Sequence, residues 1–236
     1  MGLSCDMDRI ASKPTAPYLF IFDLAIYISV MFLVREIYFS QYGFMTNGLF
    51  WSLTTLVVAA SLMRFRDVSW RELGIFKPQS VKKTMLVTAF ILVFAIALIM
   101  LFQIIKDQLG LQVAPDTSNE QATSKFGDLA GNWGLFFSII PLIWLQSSLE
   151  EILDRGFLIN WIEKALASTW FATAIAVFSQ AAIFGFRHSY DLSERSITVG
   201  LIGFAMGIGY VCFGRNLWPL IIAHCLFNTM SMIDRV

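Results

Sequence analysis

Long apolar runs alternate with short polar connections along the chain. Each run suits a helix, because a membrane helix needs roughly 20 apolar residues, whereas a lipid-facing strand needs about 10 and alternates in polarity. The pattern predicts an all-α fold, a polytopic membrane bundle of about seven (six to eight) transmembrane helices. The apolar runs lie at 17–39, 47–63, 84–105, 133–163, 168–187, 196–213 and 216–233.

The run at 133–163 is too long for a simple crossing. As a helix it would measure roughly 46 Å at 1.5 Å per residue, against a bilayer core of about 30 Å. We therefore expect this segment to tilt, to break, or to project from the membrane.

Composition supports the membrane as solvent. Of 236 residues, 57% are hydrophobic and 14% are charged, whereas soluble domains carry about 25% charged residues. We predict an integral membrane protein, and the small size and short loops favour a bacterial plasma (inner) membrane. The formal net charge is zero, so no overall field attracts nucleic acid, and no nucleic-acid partner is expected.

The distribution of charge predicts an orientation. The connection at 64–83 is the densest basic segment, which the positive-inside rule places in the cytoplasm. The segment 106–132 is acidic and polar, and we place it on the opposite side with the N-terminus inside. The basic residues of the connection are Arg64, Arg66, Arg71, Lys77, Lys82 and Lys83.

Two smaller features concern the membrane surface. Trp70, Leu73 and Phe76, followed by Pro78, are compatible with a short interfacial helix and equally with an ordinary surface loop. Asp23 lies near the start of the first run, so we expect an interfacial position rather than a functional one.

The fourth run contains the ionisable residues Glu150, Glu151, Asp154 and Arg155. At roughly 2.5–3.5 kcal/mol each, exposing them to lipid would cost on the order of 10 kcal/mol, so they must face protein or water. Glu151 precedes Arg155 by four residues, the favourable order for a helical ion pair. Glu150 points about 100° away, alongside Asp154 and Gln146, and is therefore the acid left for chemistry.

The chain has two histidines, and both lie within apolar runs or at their ends. His188 shares a helical face with Phe184 and Gln180, and His224 shares one with Asn228. The cost of polar groups in lipid directs these faces inward. We expect Phe184 to form a wall of the site, and Gln180 either to line the pocket or to bond a neighbouring helix.

These side chains can assemble a hydrolytic centre. Glu150 can deprotonate a water whose proton His188 holds or shares, while His224 and Asn228 donate hydrogen bonds to the oxyanion. Alternatively, Glu150, His188 and His224 can coordinate zinc, which itself activates bound water. The residues leave both mechanisms open.

Two other function classes fit some of the same features. An ion-coupled transporter or channel also places carboxylates and histidines inside membrane helices, but no internal repeat is evident in the sequence. An inactive immunity or scaffold protein would keep the fold without the activity. The completeness of the motifs argues against it.

Three motifs carry a resemblance to a known family. They are Glu150-Glu-Ile-Leu-Asp-Arg155, Phe184-Gly-Phe-Arg-His188 and His224-Cys-Leu-Phe-Asn228. In this order, inside apolar runs, they resemble the CPBP intramembrane protease family, which includes the type II CAAX prenyl endopeptidases and bacteriocin-processing, Abi-like relatives. The resemblance covers about 133–233.

The resemblance implies an endopeptidase in which Glu150 activates water together with His188. It implies that His224 and Asn228 form the oxyanion site and that Glu151 and Arg155 support it. A metal-free mechanism is favoured, with no cofactor required, and zinc ranks second. Asp154 departs from the family, which usually has apolar residues there.

The resemblance also implies the partners. The substrate would be a membrane-associated protein or peptide: a prenylated CAAX protein, a pheromone or bacteriocin precursor, or a C-terminal sorting signal. We predict one membrane domain, with N-terminal helices in 1–132, including the basic connection at 64–83, and a catalytic core in 133–236.

Straight spans raise a difficulty for this site. With the N-terminus inside, Glu150 would lie deep, His188 near the outer end of its run, and His224 nearer the inner end. Such spans would keep the three side chains apart.

Overall fold

The structure is a computed structural model that describes residues 16–78, 80–116 and 125–236. Throughout these ranges the regular secondary structure is helical, which confirms the predicted all-α fold. The N-terminal positions 1–15 and part of the acidic segment, 117–124, lie outside the described residues. The helices are α1 (Pro17–Leu33), α2 (Phe44–Phe65), α3 (Val81–Leu109), α4 (Trp133–Glu150), α5 (Asn160–Ala165), α6 (Trp170–Ser189), α7 (Glu194–Cys212) and α8 (Trp218–Ile233).

Six helical stretches in the described ranges are long and apolar enough to cross a membrane, and α8 is a shorter apolar helix. Their outward faces are apolar, as Ile21, Val93 and Phe137 show with 56%, 68% and 65% of their surface exposed. Such faces suit lipid rather than water. The prediction of a polytopic bundle with about seven helices is thereby confirmed.

The overlong fourth run is one continuous helical stretch, Trp133–Ala165. It does not break, because a π-helical segment, Glu151–Ile159, joins α4 to α5. A π-helical turn within an α-helix often marks a functional site. Eight of the nine residues of this segment are buried, so it forms the centre of the bundle.

Aromatic packing holds α1 against this central helix. The rings of Phe157 and Trp161 are stacked with centroids 4.0 Å apart, and the Tyr27 ring lies 4.5 Å from Phe157. The Tyr27 hydroxyl donates to the Leu153 carbonyl at 3.2 Å. All three aromatic side chains are fully buried, so this stack fixes the central helix relative to α1.

Asp23, expected near the membrane interface, packs against the end of α2. Asp23 is buried, and its carboxylate accepts two hydrogen bonds from Arg66, at 2.8 and 2.7 Å, and one from Trp161 Nε1 at 3.2 Å. A buried carboxylate needs such partners. Asp23 therefore ties α1 to the end of α2 and to α5.

The basic connection between α2 and α3 forms turns rather than an interfacial helix. Leu73 is fully buried, its carbonyl accepts from the Tyr210 hydroxyl at 3.1 Å, and the Gly74 carbonyl accepts from the Leu217 amide at 3.1 Å. Of the two interpretations, the loop is correct, although it packs into the bundle.

Candidate active site

Glu150 and His188 lie at similar heights, contrary to the expectation from straight spans. Their helices run antiparallel from the shared connection 166–169. Counted from there at 1.5 Å per residue, Glu150 is about 22 Å and His188 about 27 Å along its helix. The assumption of spans with uniform ends was therefore wrong.

His224 reaches the same level because α8 begins inside the bundle. Leu217 packs against Gly156, where an added Cβ would lie 3.2 Å from its side chain. From that contact, His224 is about 10 Å along α8 and Glu150 about 9 Å along the central helix. The recessed start of α8 thus compensates for its short length.

Glu150 is partly buried and has two polar neighbours. Its Oε1 accepts from Gln146 Nε2 at 3.1 Å, and its Oε2 lies 3.8 Å from His224 Nε2. Gln146 in turn donates to Ser52 on α2 at 2.7 Å. The predicted pairing of Glu150 with Gln146 is confirmed, and the carboxylate is oriented without a close cation.

Glu151 links Arg155 and His224. Its Oε1 lies 2.9 Å from Arg155 Nη1 and 2.7 Å from His224 Nδ1. The predicted ion pair of Glu151 with Arg155 is confirmed, and both side chains are fully buried. The contact with His224 was not foreseen, and it fixes the imidazole between the two adjacent glutamates.

His188 is oriented by its own helix. Its Nδ1 lies 2.7 Å from the Phe184 carbonyl oxygen. Since a carbonyl can only accept, Nδ1 carries the hydrogen, and Nε2 of the neutral ring is the acceptor. The Phe184 ring is buried, with its centroid 4.5 Å from the His188 ring and 5.9 Å from the His224 ring.

Asn228 lies one helical turn beyond His224 on α8. Its Nδ2 donates to Ser147 Oγ at 2.8 Å, and the Ser147 hydroxyl donates to the Ile143 carbonyl. An amide carries two N–H groups, so this contact engages one and orients the other. Sequence reasoning missed Ser147, although it precedes Glu151 by one turn.

Asp154 does not face water. Its side chain is fully buried, and its Oδ1 lies 2.9 Å from Arg187 Nη1 on α6. Asp154, which departs from the family pattern, is therefore paired with Arg187, the residue that precedes His188. Sequence reasoning missed Arg187 as a partner, although a charge inside an apolar run needs one.

One cavity collects the four predicted catalytic side chains. It has a volume of about 320 Å³ and is lined by Glu150, His188, His224 and Asn228 together with aromatic and aliphatic residues. The supporting residues Glu151, Arg155 and Phe184 are not in its lining and are buried. Further lining residues are Arg35, Phe44, Met45, Trp51, Lys125, Phe126, Ile143, Gln146, Arg187, Arg195, Met232 and Arg235.

Gln180 does not line this cavity. It is fully buried, its amide would lie 3.3 Å from a Cβ at Gly207 on α7, and neither polar atom has a hydrogen-bond partner among the described residues. The alternative that Gln180 lines the pocket is wrong, and its amide instead packs at the interface of α6 and α7.

A metal-ligand cluster was the second reading of Glu150, His188 and His224. Within the described ranges, no three His, Cys, Asp or Glu side chains are grouped as metal ligands. Zinc binding by Glu150, His188 and His224 stays a prediction.

Comparison with known proteins places the site within a family domain. Residues 132–230 match the family model described as type II CAAX prenyl endopeptidase Rce1-like. No curated protein and no solved structure matches the chain. The matched segment runs from the start of α4 almost to the end of α8. It contains the four predicted catalytic residues, Glu150, His188, His224 and Asn228. In this integral membrane protein, residues 132–230 are thus similar to the Rce1-like type II CAAX prenyl endopeptidases, which supports the resemblance to the CPBP family carried by the three motifs.

Proposed function

We propose that this protein is an intramembrane endopeptidase that hydrolyses a peptide bond of a membrane-associated protein or peptide with a water activated by Glu150. One observation carries the proposal: Glu150, His188, His224 and Asn228 come from three different helical stretches and line one cavity of about 320 Å³. A cavity that is partly apolar and contains a few convergent polar groups is typical of a binding site.

The reaction begins with a water beside Glu150. The carboxylate takes a proton from the water as the water oxygen bonds to the substrate carbonyl carbon, which gives a tetrahedral oxyanion. When the oxyanion collapses, the carbon–nitrogen bond breaks and the proton held by Glu150 passes to the leaving amine. The products are a new carboxyl terminus and a new amino terminus.

His188 positions the same water. Its Nδ1–H is engaged by the Phe184 carbonyl at 2.7 Å, so Nε2 can accept the second hydrogen of the water. Glu150 and His188 then direct a water lone pair toward the carbonyl carbon. His188 thus accelerates the reaction by orienting the water, and this effect is largest when the helix holds the imidazole ring in a fixed position.

His224 and Asn228 stabilise the oxyanion. With Nδ1–H donating to Glu151, a neutral His224 has only an acceptor at Nε2, so it donates to an oxyanion only as an imidazolium. The carboxylates of Glu150 and Glu151 lie beside its two ring nitrogens, at 3.8 and 2.7 Å. Asn228 supplies the N–H that Ser147 leaves unused.

This mechanism requires no cofactor. In the zinc-dependent version, Glu150, His188 and His224 would bind the metal, and Glu150 would no longer be the base. The contact of Gln146 with Glu150 orients the carboxylate that we propose as the base. We also propose that the protein resides in a bacterial plasma membrane.

The substrate enters a cavity with apolar and cationic walls. Phe44, Trp51 and Phe126 offer apolar surface, and Arg35 and Arg187 offer charge. Prenylated CAAX proteins, pheromone or bacteriocin precursors and C-terminal sorting signals all present a peptide next to an apolar anchor. We propose that the natural substrate comes from this group.

Proteoliposomes test the proposal. Wild type, Glu150→Gln and the control Asp107→Asn, which removes an exposed carboxylate outside the cavity, are incubated with a panel of membrane-anchored peptides and analysed by mass spectrometry. We expect cleavage by wild type and control only. Failure of wild type to cleave any peptide would favour a transporter or an inactive scaffold, and full cleavage by Glu150→Gln would overturn the assigned base.

A further inference from the structure

Arg35 lines the cavity and contacts two aromatic rings. Its guanidinium carbon is 4.7 Å from the centroid of the Trp51 ring and 4.7 Å from that of the Tyr190 ring. Arg35 follows α1, Trp51 belongs to α2 and Tyr190 ends α6, so three separate segments hold this cation. Two cation–π contacts restrain the position of the guanidinium.

Two other cations in the cavity wall have acidic partners. Arg187 lies 2.9 Å from Asp154, and Arg195 lies 3.8 Å from Asp116. Arg35 differs from them. Among the described residues it forms no ion pair with a carboxylate within 4.0 Å, although Glu150 lines the same cavity.

The hydrogen bonding of Arg35 is also incomplete. Its Nη1 donates to the Arg187 carbonyl at 3.3 Å, and a guanidinium has five N–H groups. Aromatic rings do not accept these N–H groups as a carboxylate does, so the edge of the guanidinium keeps unused donors. A planar carboxylate complements such an edge with two parallel hydrogen bonds.

The other residues of the cavity wall indicate which substrate groups lie next to that carboxylate. Phe44, Met45, Phe126 and Ile143 make much of the wall apolar, and the volume of about 320 Å³ accommodates a short peptide segment rather than a folded domain. Glu150 lines this cavity as well, so a peptide held by Arg35 lies within reach of the proposed base.

We propose that Arg35 is a specificity residue that binds a carboxylate of the substrate and thereby places a nearby peptide bond at Glu150. The inference rests on the proposed function, whose substrate it narrows to peptides that carry an anionic group beside apolar residues. The carboxylate comes from the chain terminus or from an acidic side chain, and the two sources are separable by experiment.

Binding to a non-cleaving protein tests this assignment without requiring activity. The protein is Glu150→Gln, purified in detergent, and the probes are an acetylated apolar tetrapeptide with a free carboxyl terminus, its carboxamide, and a carboxamide with one glutamate side chain. We expect at least one acid to bind about tenfold more tightly than the neutral peptide. The acid that binds identifies the source of the carboxylate.

Variants then assign the preference to Arg35. Adding Arg35→Gln should abolish the preference, and Arg35→Lys should restore only part of it, because lysine keeps the charge without the planar pair of donors. Adding Lys82→Gln, which removes an exposed cation at the other end of the bundle, should leave it intact. Thermal unfolding confirms that each variant is folded.

Two results would overturn the proposal: equal binding of acids and neutral peptide, including binding of none, or equal weakening of all three by Arg35→Gln. A preference for acids that depends on Arg35, in a wild type that cleaves no peptide, would instead refute the protease and keep the carboxylate site. The two failures are therefore distinguishable.

Discussion

His224 Nδ1 lies 2.7 Å from Glu151 Oε1, inside the bundle and next to the cavity that holds Glu150. The same carboxylate oxygen lies 2.9 Å from Arg155. Glu151 therefore neutralises a buried cation and fixes the tautomer of the imidazole. The second glutamate of the motif thus positions the site, while the first faces the cavity.

Removing the charge of Glu151 should damage both the fold and the reaction. Glu151→Gln leaves Arg155 without its buried partner, which typically costs about 3–5 kcal/mol of stability. It also releases His224, and we expect a fall of about 10–100-fold in the cleavage rate, as for other groups that orient a functional histidine.

The matched control is the double variant Glu151→Gln, Arg155→Met. It removes the unpaired cation, so thermal unfolding should recover part of the lost stability while cleavage stays low. Recovery of both quantities would show that Glu151 acts only through Arg155 and does not position His224.

Variants of Asn228 and of its partner Ser147 distinguish a role in oxyanion stabilisation from a role in packing. Asn228→Ala should lower the rate of cleavage about 10²–10³-fold, the usual effect of losing one oxyanion donor, with little change in KM. Ser147→Ala removes its hydrogen-bond partner but leaves the amide in place, so a much smaller loss is expected. Equal losses in both variants would assign Asn228 to packing.

Dependence on metal distinguishes the two hydrolytic mechanisms. We expect the protein dialysed against a zinc chelator to keep its cleavage rate, because Glu150 activates water directly. Metal content is measured in the same samples. Loss of activity on dialysis, with recovery on addition of zinc, would favour Glu150, His188 and His224 as ligands.

The side of the membrane on which the cavity opens is predicted by charge. The connection 64–83 should be cytoplasmic, and the cavity residues Arg35 and Tyr190 follow the ends of α1 and α6 on the opposite side of the bundle. We therefore expect substrates to be cleaved from the extracytoplasmic side.

Cysteine labelling tests this orientation in intact cells. In a background with Cys5, Cys212 and Cys225 replaced by serine, a membrane-impermeant maleimide should label Leu192→Cys, a position that is 82% exposed, and should not label Lys82→Cys. The reverse pattern would place the cavity on the cytoplasmic side.

The sequence predicted contacts within one helix better than contacts between helices. The pairing of Glu151 with Arg155 follows from a spacing of four residues, and the structure confirms it. The partner of Asp23 was missed because Arg66 lies 43 residues away, and local polarity does not reveal such a partner.

The relative heights of the helices were also beyond the pattern of apolar residues. The start of α8 is set by Leu217 against Gly156, a contact between distant parts of the chain. Hydropathy gives the length of a run but not its depth. The motifs therefore predicted the cavity residues correctly, although the predicted depths of the helices would have kept these residues apart.

The central claim is that Glu150 activates the attacking water. Its most direct measurement is the single-turnover rate constant of cleavage, with protein in excess over an anchored peptide, for wild type and Glu150→Gln. The account predicts a fall of about 10²–10⁴-fold or more, since a general base contributes that much. A Glu150→Gln variant within about tenfold of wild type would contradict it.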